Sequence, residues 1–196
     1  MNETETHPLP PFLPENAKIL MLGSFPPPQI RWKMNFYYPN FNNDMWRIFG
    51  LVFFDNKDHF IDTQNKTFHE QQIRNFLHQK GIAIYDTAYR VKRLQGNASD
   101  KFLQIVEPVD LAKLLAQIPH CQTIITTGEL ATQTLLSQLP SDTTIPKIGQ
   151  CVRSEFLGRE LYLHRLPSSS RAYPLALGKK AAVYAEVFYF SMGNMF

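Results

Sequence analysis

The feature that most constrains this chain is an alternation of short apolar runs with stretches of helical period. AKILML (17–22) stops at Gly23 and a proline cluster, and IAIYDT (82–87) begins after Gly81. TIITT (123–127) stops at Gly128, and ELYLHRL (160–166) stops at Pro167. Short apolar runs punctuated by Gly and Pro read as buried strands. Between them, Trp46, Ile48, Phe49 and Val52 recur at helical spacing behind a candidate cap, Asp44, and Ile73, Phe76 and Leu77 do so before Gly81. Pro108 suits the first turn of a helix whose apolar face is Val109, Leu111, Leu114, Leu115 and Ile118. A further helix is expected from Glu129 to about Leu136, and Leu177, Ala181, Ala185 and Phe188 form a last stripe. Strands separated by helices pair in parallel through right-handed crossovers. The expected fold is therefore α/β, a three-layer α/β/α sandwich. Its central four-stranded parallel sheet would comprise Lys18–Leu22, Ile82–Asp86, Thr123–Thr127 and Glu160–Leu166.

A length of 196 residues, 44% hydrophobic and 19% charged, suits one domain over 1–196 with a full core. Residues 1–15 are polar and proline-rich and read as an extended lead-in, AYRVKRLQGNASDK (88–101) reads as a basic loop, and 54–67 shows no period. Cys121 and Cys151 lack metal-binding spacing, so no disulfide framework or metal site is expected. The N-terminus is acidic where a secretion signal is basic, and no run reaches the roughly 18 apolar residues of a membrane span. A cytoplasmic protein without a membrane role or cofactor is expected. A net charge of +3 permits an anionic partner without demanding one.

Open α/β sheets bind ligands beyond the carboxyl ends of their strands, and the unusual loops leave from those ends. GSFPPP (23–28) joins a glycine, which tolerates close approach, to stiffening prolines, which fits a pocket floor or a plain turn. FYYPNFNNDMW (36–46) combines aromatic faces with asparagines that offer a donor and an acceptor side by side. That pairing suits a nucleobase edge, although core packing and turn chemistry also account for these residues. LPSSSRAY (166–173) offers hydroxyls and backbone amides that can grip a phosphate, or a serine helix cap with an exposed arginine.

Taken in order, GSFPPP, FYYPNFNNDMW, IYDT and LPSSSRAY resemble the uracil-DNA glycosylase superfamily over nearly the whole chain. The similarity is greatest to the hypoxanthine-DNA glycosylase branch, whose first motif also begins Gly-Ser-Phe-Pro, with the mismatch-specific uracil/thymine-DNA glycosylases next. The resemblance implies a base pocket around Gly23, Ser24, Phe25 and Pro26, with Tyr38 stacking on the extruded base and Asn40 and Ser168 beside it. It makes Asn43 the first choice for the essential catalytic side chain, with Asn42 and Asn40 as close seconds. Pro167, Ser169 and Ser170 would pin the DNA backbone, with Arg171 or Tyr173 as the wedge. Asp86, ending IYDT, either orients water or caps a loop. Two positions depart from the pattern: Phe25 occupies the slot where most of the superfamily carries a water-positioning Asp or Asn, and Leu166 replaces a histidine found in the uracil-specific branch. His164, two residues earlier, reads as a structural strand histidine.

The reading is a monofunctional glycosylase that flips out and excises a deaminated base, uracil or hypoxanthine, in base-excision repair, because no motif carries a Schiff-base lysine. Its partner would be double-stranded DNA with a damaged or mismatched base, met as a monomer at the nucleoid. Phe25 favours the rival, an inactive or catalytically weak nucleobase- or DNA-binding member of the same fold. An unrelated small-molecule hydrolase is the third reading, without a G-x-S-x-G elbow, P-loop or metal cluster to support it. The string Arg90, Lys92, Arg93 fits a nucleic-acid surface or a solvated face.

Overall fold

The computed structural model describes residues 3–95 and 99–193. Gly96, Asn97 and Ala98 of the expected basic loop lie outside the described residues, as do both ends of the 1–196 span. In chain order the strands are β1 (Thr4–Thr6), β2 (Ile19–Gly23), β3 (Ile61–Asp62), β4 (Thr67–Phe68), β5 (Ile82–Asp86), β6 (Ala88–Arg93), β7 (Leu103–Pro108), β8 (Thr123–Thr127), β9 (Cys151–Phe156) and β10 (Arg159–Leu166). The α-helices are α1 (Met45–Phe54), α2 (Glu70–Lys80), α3 (Leu111–Gln117), α4 (Glu129–Leu136) and α5 (Leu177–Met192).

The main sheet has the order β5-β2-β8-β10-β9. Its first four strands are parallel and correspond to the four read from sequence; β9 joins β10 antiparallel, so the sheet has five strands rather than four. Every residue of β2 and β5 is buried, as expected for parallel strands covered on both faces. β9 alternates exposed with half-buried positions and runs into β10 through Leu157 and Gly158, both with positive φ (52° and 76°). That is the backbone of a two-residue hairpin turn. Leucine is a poor marker for such a turn, which is why the sequence did not announce this hairpin.

A second, antiparallel sheet, β1-β6-β7, corrects two expectations. The lead-in contributes β1, and the first six residues of the basic loop are β6, which pairs antiparallel with β1 and, across an irregularity at Arg90, with β7. Pro108 ends β7 instead of opening a helix; α3 starts at Leu111, where Asp110 accepts the Lys113 N–H at 3.0 Å. Residues 54–67 include β3, which forms a two-stranded hairpin with β4.

Phe49 of α1 stacks edge-on against Phe76 of α2 (6.2 Å) and Phe188 of α5 (5.2 Å), forming an aromatic core around the fully buried Trp46. On α3, the Leu111 N–H donates to Gln138 just beyond α4. From β2 the chain crosses to β5 on one side and then past β2 to β8 on the other, so right-handed connections put the helices on both faces. The reversal falls between β2 and β8, where open α/β sheets form their binding crevice. No described helix is long and apolar enough to cross a membrane.

Candidate active site

A cleft of about 900 Å³ opens at the carboxyl ends of β2, β5, β8 and β10. Every residue proposed from sequence for catalysis, base binding or DNA binding lines it, from Gly23 to Tyr173.

Gly23 ends β2 where no side chain fits: a Cβ there would lie 2.6 Å from Asp86 Oδ1 and 3.0 Å from Tyr38 Oη. Glycine therefore lets a carboxylate and a phenol close over the strand end. The backbone N–H groups of Ser24 and Phe25 donate to no group among the described residues. Phe25 itself turns away from the sheet's end into a small second core with Ala88, Val91 and Leu103. Its ring meets His7 edge-on at 5.3 Å and lies under the Arg93 guanidinium at 5.5 Å. Phenylalanine in this slot is thus an anchor that fixes the loop to the second sheet.

Two carboxylates face this loop. Asp86, at the end of β5, accepts from His7 Nε2 at 2.7 Å, and both side chains are almost wholly buried. Asp100, in the short 3₁₀ turn 100–102 ahead of β7, accepts from Ser24 Oγ at 2.6 Å. Burial raises the Asp100 pKa above the usual carboxylate range, the Ser24 hydrogen bond opposes that rise, and the negative charge of Asp86 adds to it.

Tyr38 takes a left-handed backbone (φ 53°), and its Oη shares a 2.9 Å hydrogen bond with Thr127 Oγ1 at the end of β8. Burial drives its phenol well above the ordinary tyrosine pKa, so it stays neutral. Asn40 Oδ1 accepts the Asn42 N–H at 3.0 Å, a local turn. Asn43 Oδ1 accepts the Met45 N–H at 2.9 Å, satisfying a donor at the start of α1. Asp44 was the expected cap, yet its side chain makes no capping bond. The Asn43 Nδ2 donates to no protein group among the described residues and belongs to a cleft-lining side chain.

Asp44 instead binds two cations, Arg171 Nε at 3.0 Å and Lys180 Nζ at 3.6 Å. Lys180 is 1% exposed, and its Nζ also donates to Ser170 O at 2.7 Å. Burial lowers its pKa, and Asp44 pulls against that shift. The Asp44 N–H reaches Ser169 O at 3.0 Å, Arg171 Nη1 reaches Asn42 Oδ1 at 3.4 Å, and Tyr184 Oη donates to Pro167 O at 2.7 Å. The asparagine and serine segments are thereby tied together, with α5 bracing the latter. Ser170 N–H donates to Ser168 Oγ at 3.2 Å, and Tyr173 N–H to Ser170 O at 3.1 Å. Arg171 stays exposed at the rim.

His7, Asp100, Thr127 and Lys180 were not singled out from sequence. His7 and Asp100 lie in stretches read as loop, and Lys180 is one of several lysines in an amphipathic pattern. Only Thr127, ending a buried strand, carried a positional signal. His164 does not line the cleft; it is buried, with its ring 5.5 Å from Phe190. Of the basic string, Arg90 pairs with Glu107 at 3.5 Å, and Arg93 pairs with Glu5 at 2.9 Å while also donating to Pro26 O. Much of that charge serves the second sheet.

No family model matches the chain, and no curated protein matches it. Among solved structures, the chain is similar to a solution NMR structure from Methanosarcina acetivorans described as a "putative Uracil DNA glycosylase". The TM-score is 0.58 at 25% sequence identity, over 91% of this chain and 95% of that one. The fold is of the uracil-DNA glycosylase type.

Proposed function

We propose that this protein is a monofunctional DNA glycosylase that takes a deaminated base, uracil or hypoxanthine, out of double-stranded DNA. The observation that carries the reading is the convergence of three kinds of group in one cleft. These are a neutral aromatic ring on Tyr38, unengaged donors on Asn43, Ser24 and Phe25, and the serine loop beside Arg171. A base flipped into the cleft would stack on Tyr38 and present its carbonyl edge to the donors. As the glycosidic bond breaks, negative charge grows on the base, and fixed donors at its oxygens stabilise that charge without reorganising. The serine loop and Arg171 would hold the DNA backbone and occupy the vacated stack. Similarity to the Methanosarcina protein supports the same chemistry. Action as a monomer at the nucleoid completes the proposal.

Lyase chemistry needs an amine at the sugar. Lys101, the lysine that lines the cleft, is exposed and lies 5.6 Å from the Phe102 ring, while Lys180 is engaged with Ser170 and Asp44. Borohydride should therefore trap no covalent adduct between protein and lesion DNA.

The test is a panel of duplexes, each with one lesion, scored by alkaline cleavage of the abasic site. Release of uracil or hypoxanthine is the expected result. A second reading, a binder without chemistry, draws on the burial of Phe25 in the second core. Tight lesion binding without base release from any duplex would establish it in place of the enzyme.

A further inference from the structure

A glycosylase of this kind needs a group to orient the attacking water, and Phe25 cannot be that group. The segment that packs around Phe25 supplies a substitute. Phe25 is held by Ala88 and Val91 of β6 and Leu103 of β7, and the connection between those strands carries Asp100 back to the motif beside Phe25. Ser24 Oγ fixes Asp100 Oδ1 at 2.6 Å. The other oxygen, Oδ2, faces β8 and the serine loop: a Cβ built on Gly128 would be 3.9 Å from Asp100 Oδ2 and 3.8 Å from Ser168 Cβ. Asp100 thus places a carboxylate oxygen between the first and last motifs, where the sugar of a flipped nucleotide would sit.

Asp86 is less suited to this task. Its Oδ2 is taken by His7, and its side chain is only 8% exposed. Asp100 is partly accessible and keeps Oδ2 on the cleft side.

We propose that Asp100 is the catalytic carboxylate that orients and deprotonates water in this protein. The assignment rests on the glycosylase reading above. In the step, the C1′–N bond breaks and its electron pair leaves with the base. The water oxygen bonds to C1′, and Asp100 accepts the water proton before passing it to the departing base or to solvent. The charge near Asp100 Oδ2 also stabilises the sugar cation as it forms. The groups facing Asp100 are Ser24 from the first motif, Asp86 from β5, Tyr38 from the aromatic segment and Arg93 from β6, and its neighbour Lys101 lines the same cleft. Burial and Asp86 make Asp100 a stronger base than a free carboxylate, which suits it to take a proton.

The experiment measures single-turnover base release from uracil and hypoxanthine duplexes between pH 5 and 9, for the parent, Asp100→Asn and Ser24→Ala. Duplex affinity and thermal midpoint are recorded alongside. Asp100→Asn should slow release by roughly a hundredfold or more, the ordinary size of a general-base effect, while still binding the duplex and melting near the parent. Ser24→Ala removes a hydrogen bond that holds the Asp100 pKa down, so the acidic limb of its rate profile should move to higher pH. Parent-like release by Asp100→Asn, with the parent active, overturns this assignment and leaves the glycosylase reading standing. An unmoved acidic limb in Ser24→Ala also counts against it. Absence of release by the parent from every duplex removes both.

Discussion

Asn43 uses the two ends of its amide differently. Its Oδ1 is committed to the Met45 N–H and its Nδ2 is not bonded to protein, so alanine there removes a helix-end acceptor together with a cleft donor. Asn43→Ala should lose base release by about a hundredfold or more. It should also lose about 1 kcal/mol of stability through the missing cap. Asn43→Asp separates the two effects, since a carboxylate still accepts from Met45 and also favours the positive end of α1, but it cannot donate to a base. The expected outcome is a thermal midpoint at or above the parent's with release still lost; full activity in Asn43→Asp would show that the amide donor is not used. The sequence identified this residue by its place in a motif. It could not reveal that the cap belonged to Asn43 rather than Asp44, because Asp44 is drawn off by Arg171 and Lys180, both far along the chain.

On β10, His164 illustrates how an element's packing outweighs its pattern. At strand period it shares a face with Leu166, yet Leu166 at the strand's end reaches the cleft while His164, two residues earlier, lies against Phe190 of α5. The residue is 3% exposed, and neither of its ring nitrogens has a hydrogen-bond partner among the described residues. Burial lowers its pKa below the ordinary value of 6.5, so the ring is neutral in the folded state. For a group of this sign the unfolded chain binds the proton more readily, so the stability from a neutral His164 is present above pH 6.5 and is lost as pH falls below it. Urea midpoints taken at pH 7.5 and 5.5 should drop more for the parent than for His164→Leu. The ceiling is about 1.4 kcal/mol for each pH unit below 6.5. Equal drops in both proteins would mean that His164 gains a proton partner on unfolding no more readily than when folded. The same precedence of packing explains the misread β6. Its basic residues look like a solvated loop, but Val91 and Ala88 are buried against Phe25, and Glu5 and Glu107 neutralise Arg93 and Arg90 across the strands.

For the whole molecule, a net charge of +3 is small, and its distribution decides how DNA is met. A hollow of about 400 Å³ adjoins the main cleft, sharing Arg31, Asn40 and Asn42 with it and adding Lys33, Phe41 and Lys66. Among the described residues, no carboxylate lines it. If phosphates pass there, log affinity should fall linearly with log salt, and each of Lys33→Gln and Lys66→Gln should make the slope shallower by about 0.9. Fluorescence anisotropy over a salt series reads this directly, and an unchanged slope would take the DNA off this surface. The order of the four parallel strands and the position of the cleft were legible in the chain, because apolar runs that stop at Gly23, Gly128 and Pro167 mark strands whose ends must carry the loops. Those signals are local: periodicity and punctuation act over a few residues, and the motif loops inherit their place from the strands they follow. What needed the tertiary structure was every feature that depends on contacts between segments distant in sequence. The second sheet, the His7–Asp86 pair, the Ser24–Asp100 pair and the Lys180 brace each join segments that no local pattern connects, whereas the edge strand β9 is local and was hidden only by a turn without a marker residue. A local pattern can say that a residue is polar or buried, but only the assembled fold decides which partner it meets.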